Sequence, residues 1–386
     1  MPHLAIRILE VVTASLALSG CGYYLLCLWS ARQFLQSLPG NGSNFTPPIS
    51  ILKPLRSTDP EMYESFRSHC LQDYPEYEVI FGVSDAADPA VPLVERLQKE
   101  FPRQAIRLIV CDQALGANLK VSNLAQMLPR AQFPYLLVND SDIRVGPGYL
   151  RRIIAPLADQ QVGLVTCLYR GVAGPTLGSR LEQLGIATDF CAGVLAAHLV
   201  ENGLHFGLGS TLVFRRNDLQ TMGGFEALLD CLADDYELGR RLSAGGWEVQ
   251  LSEVVVETFL PWYSPREFWQ HQLRWARTIR ASRRWGYLGL IFTFGLPWAF
   301  LALSVARGAL WAWVLLSVSL ALRVLMALQV GLRVVGDRQV LEWLWLLPLR
   351  DTLALLVWVG SYLGNTITWR GDVFRLKGRK LTRLDS

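Results

Sequence analysis

The sequence predicts an α/β domain built on a mixed, mainly parallel sheet with helices on both faces, carried between α-helical transmembrane segments at both ends. Three observations predict it. Apolar runs of β character alternate with helical patterns between residues 49 and 142, the repeated β-α-β rhythm that lays strands parallel. Long stretches with no charge, or a single one, lie toward the two ends of the 386 residues. Acids follow directly on the apolar runs, at Asp85, Asp140 and Asp142, where the carboxyl ends of strands line the ligand crevice of such sheets.

Composition narrows the functional classes. The hydrophobic fraction of 51% is close to ordinary globular usage, so the bias lies in its distribution. Of the 13 Trp, 11 fall after residue 260, as interfacial aromatics would. A formal net charge of +4 is too small to argue for nucleic acid, and the middle of the chain has no basic run interleaved with aromatics. The 7 Cys are scattered, odd in number and lack metal-ligand spacing. They read as buried small apolar residues in a reducing compartment, which places the middle domain in the cytosol.

Residues 1–35 form an anchor: the run 11–31 is uncharged and long enough to span a bilayer, and too long for a cleaved signal peptide. Pro39, Gly40, Gly42, Pro47 and Pro48 make 36–48 a linker. The catalytic domain is assigned to 49–263. Strands are expected at 49–52, 77–83, 106–110, 135–138, 162–168 and 211–214. Helices are expected at about 60–72, 92–101 and 118–128. An irregular or helical stretch runs to about 204, and a helix opens at Asp234-Asp235-Tyr236-Glu237 and ends at Gly245-Gly246. Acids in a first turn suit the helix dipole, so capping is the plain reading of that pair. One acid would suffice for it.

Ser264-Pro265-Arg266-Glu267 carries a Ser cap, Pro at the first position and Glu at the third, three start signals together. The stretch 264–286 that follows is aromatic and arginine-rich, which suits a helix lying in the membrane interface; a domain surface helix is the alternative. The uncharged runs 287–306 and 352–369, and 308–332 with only Arg323, read as spans or re-entrant segments within 287–369. Arg323 itself reads as a snorkelling residue or a segment end. The tail 370–386 has six Arg/Lys against two Asp, which argues for a cytosolic end.

The acids sort by chemical task. Asp140 and Asp142, one residue apart after an apolar run, offer hard oxygen ligands for Mg²⁺ or Mn²⁺ holding a diphosphate. Asp85 at an earlier strand end can accept from a base or ribose. An alcohol acceptor needs a base as its bond forms, a contribution of about 10²–10⁴-fold, and Asp235 is the candidate. Arg274, always charged, can stabilise a leaving diphosphate, and Trp275 can wall the site from water.

These residues resemble the GT-A glycosyltransferases of the ceramide glucosyltransferase type, and most closely the bacterial hopanoid-biosynthesis branch. The resemblance runs over nearly the whole chain. It rests on Ile51-Leu52-Lys53-Pro54-Leu55, on Val83–Ala90 around Asp85, and on Leu119-Lys120-Val121-Ser122-Asn123-Leu124. It continues in Asp140–Val145, Asp234-Asp235-Tyr236 and Arg274-Trp275. His271 stands where that family has Gln or Arg. The resemblance implies a GT-A fold, inverting transfer from a UDP-sugar to a lipid hydroxyl at a bilayer, and a divalent metal on Asp140 and Asp142. It implies Asp235 as base and donor contacts at Lys53, Pro54, Leu55, Asp85, Lys120, Asp140, Arg274 and Trp275. Asp234, His271, Gly209 and Ser210 are candidates for acceptor or diphosphate contact. The implied setting is the bacterial inner membrane, with the catalytic domain facing the cytosol and no nucleic acid partner. For the hopanoid branch the donor would be UDP-N-acetylglucosamine and the acceptor bacteriohopanetetrol; for the ceramide branch, UDP-glucose and ceramide. Asp142 after Ser141, where animal ceramide enzymes have Gly, points to the bacterial branch. A processive polysaccharide synthase would be expected to have more spanning helices, and a nucleotide-binding scaffold or transporter more intramembrane charge.

Overall fold

The computed structural model describes residues 2–37, 44–369 and 372–383. Positions 38–43 of the linker, and 370–371 and 384–386 of the basic tail, lie outside the described residues. The chain divides into two units that each use several segments. One takes Pro39–Val172, Val200–Pro261 and Phe374–Ser386; the other takes Met1–Leu38, Ala173–Leu199 and Trp262–Val373.

The first unit is α/β. Its strands are β1 (Ile49–Leu55), β2 (Tyr77–Val83), β3 (Ala105–Val110), β4 (Tyr135–Val138), β5 (Ile143–Arg144), β6 (Val162–Val172), β7 (Leu212–Arg215) and β8 (Glu248–Phe259). They form one sheet in the order β3-β2-β1-β4-β7-β6-β8-β5. The half β3-β2-β1-β4 is parallel throughout, with Ile49 opposite both Tyr77 and Tyr135, so the carboxyl ends of β1, β2 and β4 share one edge. β7 runs antiparallel to both β4 and β6, and β8 returns parallel to β6. Burial explains the strand sequences: β1 and β2 are buried along their full lengths and read as continuous apolar runs with few polar interruptions. β8 was not expected from sequence. Its apolar phase shifts between Leu251 and Val254, and the register against β6 slips at the same place, between Cys167 and Leu168. Such a bulge breaks the two-residue period that marks a half-buried strand.

The basic tail folds as a hairpin, with Phe374 opposite Arg383 and Lys377 opposite Lys380. Phe374 and Leu381 are buried beneath it. Its far strand bonds the segment 230–232, where the Leu381 amide donates to the Asp230 carbonyl at 2.8 Å. All seven Cys are buried and unbridged.

The second unit is mostly helical. His3–Gln36, Leu177–Val200 and Leu310–Val334 are long and apolar enough to cross a membrane, and the pair Arg284–Phe292 and Gly295–Val305, bent by 45°, would make a fourth. The helix Pro2–Gln36 crosses Gly295–Val305 backbone to backbone. A Cβ added at Gly20 would sit 2.1 Å from the Gly295 Cα, the small-residue contact that lets apolar helices approach closely. The uncharged run 352–369 is not one helix: Leu347–Ser361 ends before Gly364-Asn365, and β-branched Thr366–Trp369 is extended.

Within the stretch to about 204 that the sequence reads as an irregular or helical part of the α/β domain, Leu177–Val200 is helical and belongs to the second unit, although Arg180, Glu182 and Asp189 interrupt its apolar pattern. Each of these has a partner within the helical unit. Arg180 lies over the Trp343 ring at 4.1 Å, Glu182 accepts from His271 at 3.2 Å, and Asp189 faces Arg350 at 3.6 Å. A sharper correction concerns Arg323, which neither snorkels nor ends a segment. It is 1% exposed, and it donates to both Asp351 oxygens at 2.8 and 2.9 Å and to the Thr188 carbonyl and hydroxyl at 3.2 Å. The sequence hid this because Asp351 sits one residue before the uncharged run.

Leaving either charge of this pair buried alone should cost about 3–5 kcal/mol, whereas replacing both with apolar groups should be far milder. Asp351→Asn should therefore lower the unfolding temperature of the solubilised chain sharply, and Arg323→Met with Asp351→Leu should recover most of the loss. A double variant as unstable as the single one would show that the charges are not coupled.

Candidate active site

At the shared edge of β1, β2 and β4 the chain concentrates its acids. The end of β4 runs directly into Asn139-Asp140-Ser141-Asp142. Buried Asn139 ties this turn down by donating to the Tyr149 hydroxyl at 2.9 Å and the Ser210 carbonyl at 2.6 Å, while its own oxygen faces His69 Nε2 at 3.2 Å. Burial, with Lys53 nearby, holds the His69 pKa well below the usual histidine value. Lys53, wholly buried at the end of β1, donates to the Asp140 carbonyl at 3.0 Å and supports the turn from within. Burial lowers its pKa to about 7, against the pull of Asp142 and Asp140. Pro54 and Leu55 are buried in β1 beside it. Of the three, Lys53 alone bonds the site turn.

Lys120 joins acids that are far apart in sequence. It stands in the first turn of the helix Leu119–Met127, and its ammonium donates to Asp140 Oδ1 at 2.7 Å and pairs with Asp234 Oδ2 at 3.3 Å. Burial works against that charge, but Asp140, Asp234 and Asp235 outweigh it and raise the Lys120 pKa. Asn118 caps the same helix, accepting from the Val121 amide at 3.2 Å. Its side-chain amide donates to the Cys231 carbonyl at 2.8 Å and to Asp234 Oδ1 at 3.3 Å. One short segment therefore positions both Lys120 and the Asp234 turn.

Asp234 and Asp235 begin the helix Asp234–Ala244, as expected, behind an Ala233 N-cap that makes no side-chain bond. Asp234 is committed to Lys120 and Asn118. Asp235 Oδ1 accepts from the Tyr236 amide at 2.7 Å, while Oδ2 points toward Gly209. A Cβ placed on Gly209 would lie 3.0 Å from Asp235 Oδ2 and 3.1 Å from Asp140 Oδ2, so the missing side chain leaves these two oxygens facing a common space. Burial first, and then Asp234, push the Asp235 pKa up to about 6. Burial and Asp140 push Asp142 up to about 6 as well, although Thr258 donates to its Oδ2 at 2.5 Å. Ser210 turns its hydroxyl to the Cys167 carbonyl at 2.9 Å and is structural in this geometry.

Asp85 lies two residues beyond the end of β2 and is exposed, with Oδ1 accepting from the Ala87 amide at 2.9 Å. Arg274, Trp275 and His271 belong to the helical unit. The helix Pro265–Ser282 that carries them starts with the expected capping box at Ser264 and Glu267. Arg274 Nη2 lies 3.2 Å from His271 Nδ1, and Trp275 meets Phe190 edge to face at 5.8 Å.

The residues missed from sequence are Asn118, Asn139, His69, Thr258 and Asp59, which accepts from the Ser141 hydroxyl at 2.6 Å. Polar residues beside Gly or a short strand read as loop, and only their burial betrays them. The one sequence signal was that Asn118 precedes the helical run of Lys120, a helix N-cap position.

The donor set fits a divalent cation in one particular way. Asp59, Asp140, Asp142, Asp234 and Asp235 outnumber the ammonium groups of Lys53 and Lys120, and their oxygens are hard ligands. Among the described residues no three such side chains converge on one ion position. Asp140 and Asp142 would therefore supply at most two ligands, leaving the rest to phosphate and water, as Mg²⁺ prefers.

A family model described as glycosyl transferase family 21 matches residues 12–381. Ceramide glucosyltransferase 3 of Caenorhabditis elegans is 25% identical over 342 residues, covering 86% of this chain and 73% of that protein. Ceramide glucosyltransferase of Komagataella phaffii is 32% identical over 113 residues, 28% of this chain and 22% of that one. Among solved structures, a mannosyltransferase from Pyrobaculum calidifontis in complex with GDP-Man and Mn²⁺ superposes with a TM-score of 0.60 at 21% identity, covering 92% of this chain and 99% of that one. That likeness is one of fold, and the mixed α/β GT-A architecture expected from sequence stands. From its N-terminal helix to its C-terminal hairpin, the chain belongs to glycosyl transferase family 21.

Proposed function

We propose that the protein is a membrane-bound glycolipid glycosyltransferase that moves a sugar from a UDP-sugar to a lipid hydroxyl with inversion. The observation that carries this reading is the pairing of two carboxylate oxygens, Asp140 Oδ2 and Asp235 Oδ2, across the open position of Gly209. Asp140 is the donor-side member, with Asp142 beside it; Asp235, on a different element, is free of Lys120's direct ion pair and serves as base. An inverting transfer needs such a division, a diphosphate held on one side and a base on the other.

A bound Mg²⁺ or Mn²⁺ would neutralise the diphosphate as it leaves. Asp140 and Asp142 would hold it, Lys120 keeps Asp140 in place, and Asp85 accepts from the nucleoside. Asp235 takes the proton of the acceptor hydroxyl. Its pKa near 6 leaves it ionised at neutral pH yet a stronger base than an ordinary carboxylate. Arg274 stabilises the leaving diphosphate and Trp275 limits water, by the motif they share with the family.

Two acceptors are in play. Similarity to ceramide glucosyltransferases favours glucose transfer to a ceramide-like amphiphile. The second Asp of Asp140-Ser141-Asp142 favours N-acetylglucosamine transfer to a hopanoid polyol in a bacterial inner membrane, with the α/β unit facing the cytosol.

Asp235→Asn should keep UDP-sugar affinity within about threefold and lower transfer by about 10²-fold or more. Binding by calorimetry beside turnover by product counting checks this, and near-normal turnover would remove Asp235 as base. Asp140→Ala and Asp142→Ala should each weaken metal-dependent donor binding by about tenfold or more, the scale of losing one charged ligand. A Mn²⁺ titration curve unchanged in both variants would contradict the metal role.

A further inference from the structure

We propose that Glu182 and His271 are positioning residues for Arg274, acting as a relay in which Glu182 fixes the tautomer of His271 and His271 holds the guanidinium. This rests on the reading of Arg274 as the diphosphate-stabilising group. All three residues lie in the helical unit, on Leu177–Gly185 and Pro265–Ser282.

The hydrogen bonds leave one arrangement, in which the Tyr263 hydroxyl, 3.5 Å from His271 Nδ1, is a second donor to that nitrogen. Glu182 is 4% exposed, and its ionised carboxylate can only accept. His271 Nε2 lies 3.2 Å from Glu182 Oε1, so Nε2 carries the proton. The other Glu182 oxygen takes the side-chain amide of Gln272, which fixes the carboxylate in turn. Arg274 has donors only, and its Nη2 lies 3.2 Å from His271 Nδ1, so Nδ1 must present its lone pair. The neutral Nε2-protonated imidazole meets both demands. A doubly protonated ring would set an N–H against the guanidinium. The ring also packs in tilted contacts against Tyr263, with centroids 5.0 Å apart, and Trp275, at 5.8 Å.

This geometry accounts for a histidine in place of the glutamine that the family pattern allows at this position. A glutamine can repeat the relay, donating its amide N–H to Glu182 and accepting from Arg274 through its carbonyl. Leucine fills the space and does neither.

The test uses the full-length chain in detergent with UDP-sugar and lipid acceptor, and reads kcat and donor KM for His271→Leu, His271→Gln, Arg274→Ala and the double variant His271→Leu with Arg274→Ala. His271→Leu should lower kcat/KM by about tenfold or more, the scale of a lost hydrogen bond to a charged group. His271→Gln should stay within about threefold of the parent. The double variant should be no worse than Arg274→Ala alone, because the histidine acts through the arginine. Glu182→Gln, which retains an acceptor for Nε2–H, provides a milder perturbation of the same relay and should fall between parent and His271→Leu. A leucine variant with parental kcat/KM, a glutamine variant as poor as leucine, or additive losses in the double variant would each overturn the relay. If Arg274→Ala itself behaves as parent, the reading of Arg274 fails first, and the relay with it. If Arg274→Ala is impaired while His271→Leu is not, only the relay fails.

Discussion

The α/β site depends on one ammonium group. Lys120 sits between Asp140, at the end of β4, and Asp234, at the start of a helix nearly a hundred residues later. Without that charge, acids from separate segments would be pressed together under partial burial, and each would be driven toward its neutral form. With it, Asp140 and Asp234 are held in place, and Asp235 is left with a free oxygen aimed past Gly209. Asn118 makes the arrangement rigid, because it both caps the lysine's helix and grips the Asp234 turn. Lys53 supports the same turn from below through a backbone carbonyl. Most of the polar side chains around the site therefore serve to place three or four others.

How much of this could be read from the sequence depended on whether the signal was local. The strands β1 and β2 were legible because full burial makes them continuous apolar runs, β3 and β4 because they are short apolar runs bounded by turns, and Asp85 and Asp140 could be placed by where such runs end. The helix starts at Asp234 and Ser264 were legible from their first-turn chemistry. β8 was not, because its bulge resets the alternation on which a strand is recognised. The supports Asn139 and His69 were invisible for another reason, and Asn118 showed only as a helix start. A buried polar residue looks like a surface one until its partners are known, and the partners here come from up to 116 positions away.

The helical unit shows the same rule in apolar surroundings. Arg180, Glu182, Asp189 and Arg323 interrupt hydrophobic stretches, and by sequence Arg323 read as a snorkelling residue or a segment end. In the fold each is matched, Arg323 to Asp351 and Thr188, Glu182 to His271 and Gln272. Burying a charge without a partner is costly, so charges in such helices mark contacts as much as boundaries. That reading turns the polar positions of Leu177–Val200 from evidence against a long apolar helix into a record of its neighbours.

The central claim is that this chain glycosylates a lipid from a nucleotide sugar. The most direct measurement offers the purified full-length protein a panel of UDP-sugars with Mg²⁺ or Mn²⁺ against ceramide, diacylglycerol and a hopanoid polyol, with products identified by mass spectrometry. The account predicts a single-sugar adduct on ceramide or the hopanoid polyol, dependent on the metal and formed with release of UDP. A sugar polymer, or release of free sugar with no lipid adduct from any donor, would contradict it.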